Sequence, residues 1–397
     1  MNILHVIPSV SVVHGGPSKA IVNMERSLGD LGLAVTTATT DDEGLGRHRV
    51  GNRQSIAATG ATRIYFPKRV EFYKVAPSML PWLWRNVRRF DVVHIHALFS
   101  FSSIAAASVA RLRGVPYVLR PLGTLTRYGV TQRRPWLKQL SLVCLERPAL
   151  RRAAAVHFTS DDEMCEAAQC DVAMNGVVIP LGIDSAECAD DALVRSQFPA
   201  LGDVRYLLYL SRLDPKKNVE GLLRAFKQFS PQFPDVKLLI AGGGALEYVT
   251  TLKTLTDELG LSGGVIWAGY IDGDLKTSAL AGAMLFVLPS FSENFGIAAA
   301  EALMSRLPCV LGRGVAISRD VVTSGAGLAV SPDPTSIAAG LVMIMADSKL
   351  RNTMSVNAAV LAQSRYSAHA MGLNLVRLYC NILNKVDLNR SNDVGRK

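Results

Sequence analysis

Arg212 and Lys217 stand where an apolar run, Tyr206 to Leu210, gives way to Ser211-Arg212-Leu213-Asp214-Pro215-Lys216-Lys217-Asn218. A guanidinium grips a diphosphate as a fork and an ammonium as a point charge, so the pair suits a leaving group that departs with two phosphates. A solvated pair of surface charges is the alternative reading of the same loop. Glu293 and Glu301 form a second set, flanking Asn294-Phe295-Gly296 after the apolar run Leu285 to Leu288. Eight helical rises cover about 12 Å, enough to set two carboxylates at opposite ends of an extended ligand such as a sugar joined to a ribose. Backbone amides of Asn294, Phe295 and Gly296 at a helix N-terminus would cradle phosphate. A capping carboxylate beside an unrelated surface glutamate is the alternative. A third feature, Gly15-Gly16-Pro17-Ser18, follows the run ending at Ile7-Pro8. Two residues without side chains admit another molecule to the backbone, and proline suits the first position of a helix. A plain turn explains them equally well.

These loops need rigid elements behind them. β-type runs at Ile3 to Ile7, Ala34 to Ala38, Val92 to Ile95 and Tyr117 to Arg120 alternate with helical patterns near Ser18 to Leu31 and Phe101 to Leu112. That is the βαβ rhythm of a parallel, doubly wound sheet. After Val156 to Thr159 and Val177 to Ile179 comes a polar stretch, Asp184 to Asp191, that reads as a linker. The rhythm restarts at Tyr206 to Leu210, Lys237 to Ala241, Val265 to Trp267, Leu285 to Leu288 and Cys309 to Leu311, with helices at Val219 to Phe229, Leu246 to Leu259 and Ile297 to Ser305. A chain of 397 residues fits two α/β domains better than one core. Ligands of tandem doubly wound sheets are expected in a cleft between the domains.

Hydrophobic residues at 49% and charged residues at 19% exclude a disordered chain. No apolar run reaches the roughly 18 residues that a membrane-spanning helix needs. Met1 to Val10 is apolar, lacks a basic n-region and contains Pro8, so it reads as a first strand and the protein is expected in the cytoplasm. Six cysteines, Cys144, Cys165, Cys170, Cys188, Cys309 and Cys380, show no metal-ligand or disulfide spacing and read as free thiols. The net charge of +10 is concentrated: between Trp82 and Arg152 thirteen basic residues face two acids. Within that stretch Trp82, Trp84 and Arg85, and again Arg133, Arg134 and Trp136, interleave aromatic and basic side chains, a mixture that suits an anionic lipid interface. A nucleic-acid patch and a solvated basic face with two core tryptophans are the alternatives, and the lipid surface is the reading taken.

With its flanking motifs, the Glu-x7-Glu segment from Glu293 to Glu301 resembles the retaining glycosyltransferases of the GT4 family, which have the GT-B fold of two Rossmann-like domains facing a central cleft. The likeness extends along the chain through Gly15-Gly16, His94-Ile95-His96, Arg120-Pro121-Leu122-Gly123, the Arg212 and Lys217 pair, Glu293-Asn294-Phe295-Gly296 and Gly325-Ala326-Gly327-Leu328. It implies an acceptor-binding domain over 1–185, a donor-binding domain over 186–368, a helix over 369–385 returning to the first domain and a polar tail over 386–397. Arg212 and Lys217 are then expected to bind the donor diphosphate, Glu301 the ribose hydroxyls, and Glu293 to lie beside the transferred sugar. Asn294, Phe295 and Gly296 would offer amides, and Gly15 and Gly16 would line the cleft. His96, at the carboxyl end of its strand, is the histidine expected to touch the sugar, and His94 a core residue.

The reaction so implied moves a hexose-type sugar from a UDP- or GDP-linked donor to a saccharide acceptor on a polyprenyl lipid, with retention and without a metal or cofactor. Its setting would be surface-polysaccharide assembly at the inner face of the plasma membrane. Asp272-Gly273-Asp274, which a pattern search would offer as a metal motif, precedes a helix and suits N-capping instead. Asn218 and Asn294 stand where many relatives have glycine. A nucleotide-sugar epimerase of the same fold and a non-catalytic membrane scaffold are the rival readings; a nicotinamide enzyme would need a G-x-G-x-x-G turn that Gly242-Gly243-Gly244 does not supply.

Overall fold

The structure, a computed structural model, describes residues 1–11, 16–43, 46–47, 53–125, 141–170, 172–184 and 190–394. The chain divides into two compact units, Met1–Gly182 with Ala368–Lys397, and Ile183–Ser367.

The first unit contains the strands β1 (Asn2–Val6), β2 (Ala34–Thr40), β3 (Asp42–Glu43), β4 (Gly46–Arg47), β5 (Arg53–Ile56), β6 (Thr62–Phe66), β7 (Val92–His96), β8 (Tyr117–Arg120), β9 (Ala155–Phe158) and β10 (Gly176–Val178). Its helices are α1 (Gly16–Asp30), α2 (Met79–Asn86), α3 (Phe101–Leu112), α4 (Arg147–Arg152) and α5 (Asp161–Ala168). Eight strands form one sheet in the order β10-β9-β8-β7-β1-β2-β6-β5, parallel except for β5, while β3 and β4 pair as a separate antiparallel ribbon. The chain winds one way from β1 to β2 and the other way through β7, so the sheet reverses direction at β1. Such switch points are where open α/β sheets bind ligands, at the carboxyl ends of the strands.

In the second unit β11 (Arg205–Leu210), β12 (Val236–Ala241), β13 (Val265–Gly269), β14 (Leu285–Leu288), β15 (Cys309–Gly312) and β16 (Gly327–Val330) are accompanied by α6 (Ala192–Gln197), α7 (Val219–Phe229), α8 (Leu246–Glu258), α9 (Gly273–Gly282), α10 (Ile297–Met304), α11 (Ser318–Thr323), α12 (Pro334–Ala346) and α13 (Ser348–Leu361). The sheet is fully parallel in the order β13-β12-β11-β14-β15-β16. Helices cover both faces, so the central strands are continuous apolar runs: Leu207 to Tyr209 and Leu285 to Val287 have no exposure at all. α7 places Val219, Leu222, Leu223, Phe226 and Phe229 inward at helical spacing. The switch point lies between β11 and β14.

The last helix, α14 (Ala368–Val394), belongs to the first unit. Met371, Leu375, Tyr379 and Ile382 join Met24 and Leu28 of α1 in one buried cluster. A side chain at Gly372 would meet Ser27 Oγ at 2.0 Å, which is why glycine stands where α14 crosses α1. The segment read as a polar tail from 386 continues this helix as far as Val394. Among the described residues Cys144, Cys165, Cys309 and Cys380 are free thiols.

Candidate functional site

Both loops singled out in the second unit leave neighbouring strands at the switch point, Ser211–Lys217 from β11 and Pro289–Gly296 from β14. Three glycines seat the first loop. Gly242 has φ +155° and a Cβ there would lie 1.8 Å from the Ser211 carbonyl oxygen; at Gly244 it would lie 2.3 Å from that of Leu213. Leu213 N–H donates to the Gly243 carbonyl at 2.8 Å, so the loop lies flat on the glycine run. Gly312 and Gly314 do the same for the second loop, since side chains there would meet the Ser290 and Phe291 carbonyls at 2.3 and 1.9 Å. Glu293 N–H donates to the Gly314 carbonyl at 2.9 Å, and Phe291 N–H to that of Lys216 at 2.9 Å, the latter joining the two loops. The sequence offered no sign of the roles of Gly312 and Gly314.

Lys217 donates to Glu293 Oε1, and both side chains are mostly buried. Arg212 is exposed, and no side-chain partner for it is found among the described residues. Asn218 has φ +59°, the left-handed conformation that glycine adopts freely and asparagine tolerates. Its amide also donates to the Pro332 carbonyl at 2.7 Å and the Pro289 carbonyl at 3.2 Å, tying the end of this loop to the other.

Glu301 accepts a hydrogen bond from Lys276 of α9 at 2.7 Å. α10 starts at Ile297 with Gly296 in a left-handed conformation and no side-chain cap. Its unpaired first-turn amides are therefore those of Gly296 to Ala299, two residues beyond the Asn294 to Gly296 set expected. Phe295 is buried edge-on against Tyr366, 5.7 Å between rings, so its side chain is core, while Asn294 is exposed. The expectation for Asp272 also needs correction. It occupies the N-cap position of α9, yet its carboxylate makes no capping bond and accepts from the Tyr270 hydroxyl at 3.1 Å.

In the first unit His96 ends β7 as expected but does not reach the surface. His5, His94, His96 and His157 are all fully buried, on the sheet face covered by α1 and α14. The phenol of Tyr379 lies 2.7 Å from His94 Nδ1, His94 Nε2 3.3 Å from His157 Nδ1, and His157 Nε2 2.8 Å from the Ile179 carbonyl. A carbonyl only accepts, so in the neutral rings the protons run from Tyr379 through His94 and His157 to Ile179. His5 Nδ1 meets His96 Nε2 at 2.7 Å. The outer nitrogens, His5 Nε2 and His96 Nδ1, find no partner among the described residues. The distinction expected between a core His94 and a substrate-facing His96 is thus absent.

Burial lowers the pKa of His5 to about 4 and of His157 to about 3, and of His94 and His96 well below the ordinary value. Arg120, buried beside them, is lowered to about 10 by the same cause. Nitrogens of His5, His94 and His96 lie within 4.8 Å of one another. Both nitrogens of His94 are engaged, however, and the three rings are stacked at 4.4 to 5.3 Å, so their lone pairs do not converge as metal ligands must.

Of the remaining residues, Gly16 opens α1, and Gly15 lies outside the described residues. Trp82 is half-buried and packs against Phe66, 5.6 Å between rings. Trp84 is 47% exposed with the Arg113 guanidinium 4.9 Å from its ring, and Arg85 is exposed. Arg133, Arg134 and Trp136 lie outside the described residues. No helix is long and apolar enough to cross a membrane among the described residues.

Residues 191–360 match the family model of glycosyl transferases group 1, and residues 15–182 that of a glycosyl transferase 4-like domain. The chain is 28% identical over 351 residues to the alpha-D-kanosaminyltransferase of Streptomyces kanamyceticus, covering 83% of this chain and 90% of that protein. It is 26% identical over 340 residues to the GDP-mannose:cellobiosyl-diphosphopolyprenol alpha-mannosyltransferase of Xanthomonas campestris, covering 81% and 84%. Among solved structures, sucrose-phosphate synthase from Thermosynechococcus elongatus superposes with a TM-score of 0.75 at 20% identity, over 97% of this chain and 100% of that one. HepE of Anabaena, solved in complex with UDP and glucose, superposes with a TM-score of 0.74 at 18% identity, over 96% and 100%.

Proposed function

Because the chain belongs to the group 1 glycosyltransferases of the GT-B fold, we propose that it moves a hexose-type sugar from a UDP- or GDP-linked donor to a lipid-linked saccharide, with retention of configuration and without a divalent metal. The observation that supports the reading is that the loops bearing Arg212, Lys217 and Glu293, and the uncapped start of α10, leave neighbouring strands at one switch point in the second unit, with Lys217 bonded to Glu293. As the donor breaks, charge gathers on the β-phosphate. Arg212, Lys217 and the first-turn amides of α10 offer that charge fixed donors, the role a metal plays elsewhere. Glu293, bonded to Lys217, lies beside the sugar and steadies the positive character of its anomeric carbon. Glu301, four helical rises into α10, accepts the ribose hydroxyls.

The mannosyltransferase of Xanthomonas campestris bears a diphosphopolyprenol acceptor in its name, and this likeness supports a polyprenyl-linked acceptor and a place in surface-polysaccharide assembly. Exposed Trp84 and Arg85 in the basic stretch support a peripheral position on an anionic inner membrane surface.

The test is a thermal-shift and hydrolysis screen of the full chain against UDP-, GDP-, ADP- and TDP-sugars, with and without EDTA. Stabilisation by one nucleotide family, with slow sugar release in EDTA, is the expected result. Release that requires a divalent ion would overturn metal independence. Failure of every nucleotide to bind would overturn the donor site.

A further inference from the structure

The carboxyl edge of the first unit's sheet holds groups that the donor site does not use. The three residues that carry the chain from His96 to the cap of α3 include Ala97 at φ 78° and Phe99 at φ 54°, left-handed conformations without glycine's freedom. Such backbone persists only where its surroundings over-determine it. On one side Ser103 Oγ donates to the His96 carbonyl at 3.3 Å, tying the loop to α3. On the other side stands Glu146, whose Oε1 accepts the Phe99 amide at 2.9 Å.

Glu146 is fully buried, and its Oε2 has no hydrogen-bond partner among the described residues. Two titratable groups face or flank it. Tyr73, itself at φ 59°, shares a hydrogen bond with Ser141 Oγ, and Arg147 on the same helix donates to the Cys170 carbonyl. Leu142–Glu146 is a π-helical turn, closed by Arg147 N–H on the Leu142 carbonyl, a device that concentrates at functional sites. Burial raises the Glu146 carboxyl to about 7, while the Phe99 amide and the Ser141 hydroxyl pull it down. A glutamine would fit the same space without a buried, unpaired charge. A carboxylate kept at the expense of stability, where it pins a strained loop, has the pattern of a working part.

We infer that Glu146 is a positioning residue, which holds Ala97 to Phe99 in their left-handed conformation and so fixes the sheet edge where His96 ends, most firmly as a carboxylate. The inference stands on the first unit alone and does not depend on the donor assignments.

The experiment is hydrogen exchange at the Phe99 amide in the full chain from pH 5 to 8, each rate divided by its intrinsic value, alongside thermal melting of wild type and Glu146→Gln. An ionised acceptor is roughly twice as strong as a neutral one, so wild-type protection rises about five- to tenfold through pH 7 and that of Glu146→Gln stays flat. Global stability moves the other way. An acid whose folded pKa is raised loses stability as pH climbs through that pKa, so Glu146→Gln melts above wild type at pH 8 and the gap closes toward pH 4.5. Opposite signs locally and globally are the expected result. A flat wild-type profile, or protection and melting that fall together in the variant, would overturn the inference; should the variant not fold, the wild-type profile decides alone.

Discussion

The ammonium of Lys276 donates to Oε1 of Glu301 at 2.7 Å, linking α9 to α10 through two side chains that are each 17% exposed. The contact fixes the orientation of the Glu301 carboxylate, whose remaining lone pairs could accept from two neighbouring hydroxyls. If Glu301 receives the ribose, Lys276→Ala should weaken UDP or GDP binding about tenfold, the worth of one charge-assisted contact in a partly buried setting. It should also narrow the preference for the ribonucleotide over its 2′-deoxy form. Calorimetric titration of both nucleotides decides the matter, and equal affinities in wild type and variant would leave the pair a surface ion bridge.

Glu293 and Lys217 are coupled in a different sense: if Lys217 binds the donor diphosphate, as proposed, the diphosphate and the carboxylate compete for one ammonium. Glu293→Gln removes a negative charge from beside the phosphates. Nucleoside diphosphate affinity should hold or rise up to about tenfold, while sugar release falls by roughly a hundredfold or more. Lys217→Ala should lower both. Parallel losses of binding and turnover in Glu293→Gln would show that the carboxylate only braces the loop.

What the sequence revealed and what it hid follow from how each feature is encoded. Leu285 to Leu288 and Tyr206 to Leu210 were plain because a strand buried on both faces is an unbroken apolar run. α7 was plain because one face of it repeats at helical spacing. β6 escaped because Thr62 to Ile64 are only half-buried and carry Arg63, so neither signature develops. α2 was read as an interfacial segment because Trp82 and Trp84 look alike in sequence, although one packs on Phe66 and the other faces outward. The Glu293 and Glu301 pair could be singled out from its spacing across one loop and the helix that follows it. Lys276 could not, since its partner lies 25 residues away on another helix. His96 was misplaced for the same reason: its burial is set by α1 and α14, which pack over the sheet from distant parts of the chain.

Gly314 offers a test of loop seating apart from charge. A Cβ at this exposed position would lie 1.9 Å from the Phe291 carbonyl oxygen, and the nearest atoms are all backbone of Phe291 and Ser292, so no flexible side chain can yield. Gly314→Ala should displace Phe291 to Glu293 and lower nucleotide affinity at least tenfold. Because the residue is exposed, stability should fall by only about 1 kcal/mol. Urea unfolding with nucleotide titration separates the two effects. A variant with native affinity would mean that the loop adopts its shape without Gly314.

The four buried histidines predict how the first unit responds to acid. Each is neutral in the fold and has its pKa lowered by burial, so the unfolded chain, with ordinary values near 6.5, binds more protons. Groups of this kind add stability that is complete above the unfolded pKa and is lost as pH falls toward the folded one. For His5, lowered to about 4, the contribution at neutral pH is roughly 3 kcal/mol. Glu146, raised to about 7, opposes them with one proton of the reverse sign. At pH 6 the balance is an excess uptake of about two protons on unfolding. Stability should therefore drop steeply between pH 6.5 and 5, by close to 3 kcal/mol per pH unit, well before most carboxylates titrate. Urea unfolding at pH 7.5, 6.5, 6.0 and 5.5 measures the slope directly. A slope near zero in that window would mean that the histidine layer takes up protons without leaving the fold, and the tautomer chain from Tyr379 to Ile179 would then be wrong.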